Sequence, residues 1–314
     1  MIILYGNDNS RIDITDIVRE KYTDNQGKLC IPSNDHMRAK MFGDPAYGQA
    51  KFIKIFDDEL NSRIYGSGQY AHLSWDCDFR NVPPFNNRQQ LLEQLKKVTE
   101  KHTFNNNVDW VKSDSTKFSS DETYEQLMTL QFLNPEAKVL ELGGNVGRNS
   151  MLINDILKNA KHHVVLESSP DIAKCLVKNR DDNHKEFHVE DAALSKRRLV
   201  QKHQSWQTVS TDDNIDGSFI VRNVTLPELE QKYGFQFDTL IADCEGGLFH
   251  LLKDDPSVLD NIRMIMVEND YFDQSKHEFV ENIYMSKGFK KLYTDNHPQV
   301  QMRHDMFFFE VWVR

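Results

Sequence analysis

The sequence predicts an α/β fold: a mostly parallel sheet covered by helices on both faces, with an antiparallel terminal strand, preceded by a small β-rich domain. Three observations predict it. From about residue 105 onward, apolar runs of strand length alternate with runs of helical periodicity. Two of those runs, Thr239 to Ala242 and Met264 to Glu268, are nearly all apolar, the mark of strands buried on both faces. Finally, Val139-Leu-Glu-Leu-Gly-Gly-Asn-Val-Gly147 joins a short apolar strand to a helical pattern through a glycine-rich turn.

The elements follow in order. Residues 1–85 carry short β-like runs (Ile2 to Tyr5, Ile12 to Ile17, Lys28 to Ile31, Ala50 to Phe56, Arg63 to Tyr65, Tyr70 to Trp75) separated by Gly, Asn, Asp and Pro, and predict a β-rich accessory domain. Phe42-Gly-Asp-Pro-Ala-Tyr-Gly48 is its turn cluster, since Gly permits positive φ and Pro fixes its own. Val82-Pro-Pro-Phe-Asn-Asn87 breaks the pattern. Leu91, Leu92, Leu95 and Val98 then recur at helical spacing, so residues 86–104 read as a linker and bridging helix, and 105–314 as the principal domain. In that domain Ser119-Ser-Asp-Glu122 resembles a helix start. Strands are expected over Val139 to Leu142, His163 to Leu166 and Phe187 to Val189, and helices over Arg148 to Lys158, Asp171 to Asn179 and Lys276 to Ser286. Lys290 to Thr294 and Met306 to Val313 form the terminal strand pair, joined by a turn-rich segment containing Asn296-His-Pro298.

Composition limits the partners. The chain has 314 residues, 39% hydrophobic and 27% charged, with 19 Phe and 10 Tyr, which suits a soluble protein with a sizeable core. No stretch approaches the roughly 18 to 20 apolar residues a membrane span needs, and Met1-Ile-Ile-Leu-Tyr-Gly6 is too short for a signal segment, so a cytoplasmic protein is expected. A formal net charge of -10 disfavours broad neutralisation of nucleic-acid phosphates. The basic run Lys196-Arg-Arg198 reads as a solvated loop. Cys30, Cys77, Cys175 and Cys244 show neither a C-x-x-C pair nor zinc spacing and read as reduced, buried thiols.

The chemistry concentrates at strand ends, where open α/β sheets bind ligands. Gly143 and Gly144 let the backbone turn tightly and let a ligand lie against it, and Gly147 allows close packing where the helix begins. The turn is not a G-x-G-x-x-G fingerprint, because Asn145 and Arg148 occupy the later glycine positions, and no Gly-Lys-Ser/Thr follows. Glu167 ends the second strand twenty residues past Gly147, placed to accept from both hydroxyls of a ribose or else to stand solvated. Asp191 ends the third, placed to accept from an adenine amino group beside Ala192, or to be a surface Asp. His162 and His163 read as surface or satisfied histidines. Trp110 and Phe118 read as core, or as side chains closing over a ligand.

From about residue 120 to 313 the sequence resembles the FkbM family of methyltransferases. The residues that carry the resemblance are Val139 to Gly147, Glu167-Ser-Ser-Pro170, Asp191-Ala-Ala-Leu-Ser195, Asp238-Thr-Leu-Ile-Ala-Asp-Cys-Glu-Gly246, Val267-Glu268 and Gly288-Phe289. Glu141 stands where the family more often has Asp, and Gly247 where it has Ala. The resemblance implies a Rossmann-like class I methyltransferase fold. It also implies S-adenosylmethionine (SAM) bound by Glu141, Gly143, Gly144, Asn145, Gly147, Glu167, Ser168, Asp191, Ala192 and Asp243, and transfer to a hydroxyl of a sugar, glycan intermediate or related small molecule. Asp243 is the first candidate for the general base, with Glu245 or His250 as substitutes. Alternatively Asp243, Glu245 and Glu268 hold a divalent cation that acidifies the hydroxyl, Glu245 caps the next helix, or Glu268 is simply wall. Competing readings are an RNA ribose methyltransferase, and a non-catalytic cofactor-binding scaffold. The β-rich domain suits glycan binding, homodimer formation or cover for a sheet edge. The insert from Lys196 to Phe237, with Trp206 and Phe219-Ile-Val221, is expected to shape the acceptor pocket.

Overall fold

The computed structural model describes residues 1–24, 27–58, 62–75, 88–104, 122–203, 208–211, 215–270, 273–295 and 308–314. The predicted linker over 82–87, Trp110, Phe118, Ser119 to Asp121, Trp206, Asn296 to Pro298, Met306 and Phe307 lie outside them. No helix among the described residues is long and apolar enough to cross a membrane.

The first region runs β1 (Ile2–Gly6), β2 (Arg11–Asp13), α1 (Thr15–Lys21), β3 (Lys28–Ile31), α2 (Asp35–Phe42), β4 (Phe52–Phe56), β5 (Ser62–Tyr65) and β6 (Ala71–Ser74). An antiparallel sheet has the order β2-β1-β4-β5, and β3 pairs with β6. Strand alternation sends Ile3, Tyr5, Ile53, Ile55 and Tyr65 into one core with Ile14, Val18, Leu29, Ile31 and Phe42. Two helices were not expected. The run Ile12 to Ile17 is not one strand: Asp13 Oδ1 accepts from the Thr15 amide at 2.9 Å and hydroxyl at 2.6 Å, turning the chain into α1, which buries Val18. Asn34 caps α2 by accepting from the Met37 amide at 3.2 Å, and the helix stops at Gly43, whose φ is 83°. At seven and eight residues, neither helix is long enough for its apolar spacing to be told from strand alternation.

Two buried cations tie this region together. Arg38 is 0% exposed and donates to the carbonyls of Pro32 (2.8 Å), Tyr65 (3.1 Å), Gly66 (3.1 Å) and Gln69. Lys51 pairs with Asp35 and Asp44, each at 3.2 Å, and donates to the carbonyls of Ala46 and Gln49.

After α3 (Arg88–Thr99) and α4 (Thr123–Phe132), helices and strands alternate as expected: β7 (Val139–Leu142), α5 (Arg148–Ile156), β8 (His163–Glu167), α6 (Pro170–Asp182), β9 (His188–Asp191) and β10 (Ala193–Leu194). Then come β11 (Leu199–Lys202), β12 (Thr208–Ser210), β13 (Ser218–Val221), β14 (Asn223–Val224), α7 (Leu226–Tyr233), β15 (Thr239–Ala242), α8 (Gly247–Asp254), β16 (Met264–Glu268), α9 (Gln274–Ser286), β17 (Lys290–Asp295) and β18 (Phe309–Val313). The main sheet has the order β17-β18-β16-β15-β7-β8-β9, parallel except that β18 runs antiparallel to both neighbours. This is a Rossmann-like arrangement, mostly parallel with one antiparallel strand inserted near its edge. Strands β7, β8 and β9 step outward one way, and the chain then crosses back to β15 and β16, so the switch point lies between β7 and β15.

Alternate strand residues sort onto two faces. Leu140, Leu142, Val164, Leu166, Leu240, Ala242, Ile265 and Val267 meet α7, α8 and α9 through Leu229, Leu252 and Val280. Val139, Ile241, Met266, Phe309 and Val311 meet Met128 and Phe132 of α4 and Ile153 of α5. The first region lies against the β17 edge. Cys30 joins that second cluster, Tyr70 sits 4.5 Å from the Phe132 ring, and Lys290 donates to the Thr23 carbonyl.

Candidate active site

The glycine turn is built by backbone that leaves no room for a side chain. Gly143 has φ 87°, and a Cβ there would stand 1.6 Å from the Asp243 carbonyl oxygen. The amides of Gly143 and Gly144 both donate to the Leu166 carbonyl, at 2.9 and 3.1 Å, so the turn ties β7 to β8. A Cβ on Gly144 would meet Val165 at 2.3 Å, and one on Gly147 (φ 97°) would meet Leu176 at 2.7 Å. Gly144 and Gly147 therefore serve the packing of α5 and α6 on the sheet, and of the three glycines only Gly143 lines the cavity beside them.

That cavity measures about 180 Å³ and opens at the carboxyl ends of β7, β8 and β15. On one side it is walled by Leu142, Gly143, Asn145, Leu166, Glu167, Ser168 and Ala192. Glu167 is the best-oriented group there. It is 6% exposed, its Oε2 accepts from the Asn145 amide at 2.9 Å and its Oε1 from the Ser169 amide at 2.9 Å. Asn145 reaches this pose at φ 45°, a left-handed conformation Asn tolerates. Burial raises the Glu167 carboxyl to about 7, against the pull of the amides that hold it. Ser168 donates through Oγ to Gln201 Oε1 at 3.1 Å. The Ala192 amide donates to the Glu167 carbonyl at 3.0 Å, bringing β9 alongside.

Two residues expected at this wall stand elsewhere. Glu141 lies inside β7 rather than at its end, 2% exposed, bonded to His163 Nε2 at 2.8 Å, because its strand position faces α4 and not the crevice. His163 is thus a buried, partnered histidine. Asp191 is exposed and does not line the cavity, although its neighbours Ala192 to Ser195 do.

The other side holds Asp243, Cys244, Glu245, Gly247 and His250 from the β15–α8 junction, and Ser195, Arg197, Leu199, Thr208 and Ser210 from the insert. Within the insert, β11, β12 and β13 form a three-stranded antiparallel sheet. Its Phe219–Val221 stretch, expected at the pocket, lies on the far strand and does not line it. Asp243 is half-buried. Its carboxyl is held well above the usual range by burial first, then by Glu268, Glu125, Asp270 and Glu245. Glu268 is pushed to about 8 by burial and by Asp270, Glu245 and Glu122, but lies behind the cavity wall rather than in it. Burial and Glu245 raise Asp270 to about 7, although its Oδ1 accepts from the Gly246 amide at 2.6 Å. Glu245 sits at φ 52° with much of its side chain open to solvent, and the protein around its carboxyl still strips enough water to raise it. It does not cap α8, whose cap is Gly246 with no side-chain bond. His250 is exposed at the rim, lowered by burial and by Lys276 and Arg197.

The expected metal trio of Asp243, Glu245 and Glu268 is not gathered. Among the described residues, the set that brings three potential ligand atoms within 4.8 Å is His277, Glu281 and Glu310. There the Lys291 ammonium already sits against Glu281 and, at 2.6 Å, Glu310. Sequence reasoning missed Asp270, two positions after Glu268, whereas the insert expected to shape the pocket does supply Arg197, Leu199, Thr208 and Ser210 to the wall, next to Ser195 at the end of the Asp191–Ser195 stretch.

No protein-family model matches the chain, and no curated protein matches it. Solved structures similar to it include an O-methyltransferase from Bacillus cereus in complex with SAH, 14% identical, covering 75% of this chain and 94% of that one at a TM-score of 0.40. Another is the O-methyltransferase TomG from Streptomyces achromogenes, involved in tomaymycin synthesis and solved with SAM: 13% identity, 75% and 93% coverage, TM-score 0.38. A third is a ribosomal protein L11 methylase from Lactobacillus delbrueckii subsp. bulgaricus: 11% identity, 62% and 80% coverage, TM-score 0.37.

Proposed function

We propose that this protein is a SAM-dependent O-methyltransferase acting on a hydroxyl of a sugar, glycan intermediate or related small molecule. One observation carries the reading: at the switch point, a buried carboxylate, Glu167, is aimed by two backbone amides into a cavity floored by the glycine turn. Each Glu167 oxygen keeps a lone pair for a ribose hydroxyl, and Leu142, Leu166 and Ala192 offer apolar surface to a purine. The donor set fits SAM, which supplies a methyl group on a sulfonium. The FkbM resemblance supports the hydroxyl acceptor.

Asp243 is the base in this reading. Methyl transfer is an in-line displacement, so the wall's first task is to hold the acceptor oxygen in line, and a positioned base adds roughly 10²- to 10⁴-fold. Asp243 would take the proton of the acceptor hydroxyl and pass it to solvent past the exposed Glu245 and His250 at the rim. Its raised pKa makes it a willing proton acceptor once ionised, and a cationic donor beside it favours that ionised form. Residues 1–85 are, in the same proposal, an accessory domain joined through 86–104 to a methyltransferase domain over 105–314.

Calorimetric titration with SAM is the first test. Saturable binding is expected, weakened about tenfold or more by Glu167→Gln, which removes a charged acceptor. No heat and no thermal shift at millimolar SAM would end the reading. Methyl-labelled SAM offered with free sugars, nucleotide-sugars and RNA then tests the acceptor class; label appearing on RNA alone overturns it.

A further inference from the structure

The antiparallel sheet β2-β1-β4-β5 has two faces, and one of them meets the core. The alternation that sends Ile3, Tyr5, Ile53, Ile55 and Tyr65 inward points Ile2, Leu4, Phe52, Lys54, Phe56 and Ile64 the other way. A sheet with one wet face ordinarily alternates apolar inside with polar outside. Here the outward side chains of β1, β4 and β5 are mostly apolar as well. Ile2 and Ile64 are 44% and 55% exposed, and Leu4, Phe52 and Phe56 are half-buried. A contiguous apolar face of this kind marks a contact with another molecule.

The strand register says what fits it. One row across the four strands reads Asp13, Leu4, Lys54, Ile64, because Leu4 is paired with both Asp13 and Lys54, and Lys54 with Ile64. The row beside it reads Arg11, Gly6, Phe52. Leu4 is thus flanked by an acid on one side and a base on the other. Consider a second copy placed face to face on the first, related by a twofold axis that runs along β1 over Leu4. Such an axis keeps the position along the strand and exchanges left for right. Leu4 then meets the second copy's Leu4, each Lys54 meets an Asp13, and each Arg11 meets the ring of a Phe52. The charged groups are placed for it. The Lys54 ammonium stands 5.1 Å over the Phe56 ring, and Asp13 bonds Thr15 through Oδ1, which leaves Oδ2 for a cation.

We propose that this protein forms a symmetric homodimer by packing the outer faces of two such sheets, with the Lys54–Asp13 pairs fixing the register. The face is three strand spacings wide, roughly 14 Å, and about as long. It buries less than the roughly 800 Å² per partner of a standard interface, so a dimer of micromolar affinity is expected. None of these residues lines the cavity, so the proposal stands or falls apart from the methyltransferase reading.

Sedimentation velocity of the full chain, from about 1 to about 100 μM, is expected to move from monomer to dimer. Lys54→Glu sets acid against acid at both pairs and is expected to weaken the dimer about tenfold or more. Asp13→Lys sets base against base and should do the same. Mixed one to one, the two variants are expected to recover the original affinity, because in the mixed pair every acid again faces a base. Leu4→Lys, which leaves the Asp13–Thr15 bonds in place, is expected to abolish association with little change in the thermal melt. A chain that stays monomeric at the highest concentration overturns the proposal. So does a dimer that survives both Lys54→Glu and Leu4→Lys, or a mixture of folded variants that recovers nothing. If Asp13→Lys does not fold, Lys54→Glu and Leu4→Lys decide the matter alone.

Discussion

In the first 75 residues the guanidinium of Arg38 is sealed from solvent, yet four carbonyls receive it, and the buried Lys51 ammonium has two carboxylates and two carbonyls. At the ends of β15 and β16 the arrangement is reversed. The carboxyls of Asp243, Glu268 and Asp270 are driven upward by burial first and then by neighbouring acidic groups, Glu245 acting on all three. A buried charge whose partners are all supplied holds a fold together. A cluster of like charges left uncompensated destabilises the fold, and its location at the strand ends is where a cationic ligand would relieve it. The contrast sets charge that is fully partnered apart from charge that is not, without reference to any motif.

The largest effect expected from breaking the contrast is at its structural side. Arg38→Ala strands four carbonyls in the core and should cost on the order of 3–5 kcal/mol, read by urea unfolding. At the functional side, Asp243→Asn should lower kcat by about 10²- to 10⁴-fold. It should leave the stability of the unliganded protein little changed, since Asn matches in shape and charge a carboxyl that burial already holds in its protonated form; thermal melts and single-turnover rates measure the two halves.

A smaller effect comes from pH. Glu268 (raised to about 8), Asp270 (about 7) and Glu167 (about 7) prefer the proton in the folded state, so their contribution to stability is complete below the unfolded carboxylate range and is lost as pH rises through 7 to 8. The melting temperature without ligand should therefore fall between pH 5 and pH 8.5, at about 2–4 °C per kcal/mol, and saturating SAM should flatten the fall. Glu310 works in the opposite sense: burial alone would raise it, but Lys291 and His277 bring it to about 2, so its contribution is lost only below that range of pH. The smallest expected change is Gly247→Ala. A Cβ there lies 3.6 Å from Cys244 Sγ, ordinary contact, and Ala favours the helix, so stability should rise by up to about 1 kcal/mol with SAM affinity unchanged.

What the sequence disclosed follows from how local each cause is. The β7 turn was legible because a backbone at positive φ pressed against Asp243 leaves glycine as the fitting residue, and glycine is visible in a string of letters. Glu167 was legible through its spacing from that turn, and the buried strands through their unbroken apolar runs. Glu141 was misplaced because its partner, His163, is supplied by the neighbouring strand, and nothing local announces that contact. Asp191 ends its strand as expected and is exposed there, outside the cavity lining. Helices α1 and α2 were missed because a single buried face over seven or eight residues has too few turns to declare a period. Arg197 and Asp254 meet across more than fifty positions, and each alone reads as an ordinary surface charge.

Strand β18 has a consequence for how the molecule is made. It follows β17 in the sequence but lies inside it, between β16 and β17. Until residues 309–313 leave the ribosome, β16 is an open edge with unpaired amides and carbonyls, and β17 has no strand to hydrogen-bond to. A nascent chain that has already finished its cofactor-side strands must wait for this late insertion. During that interval it displays the short apolar edge of β16 to its neighbours, so yield in the cell is expected to depend on how quickly this strand is paired.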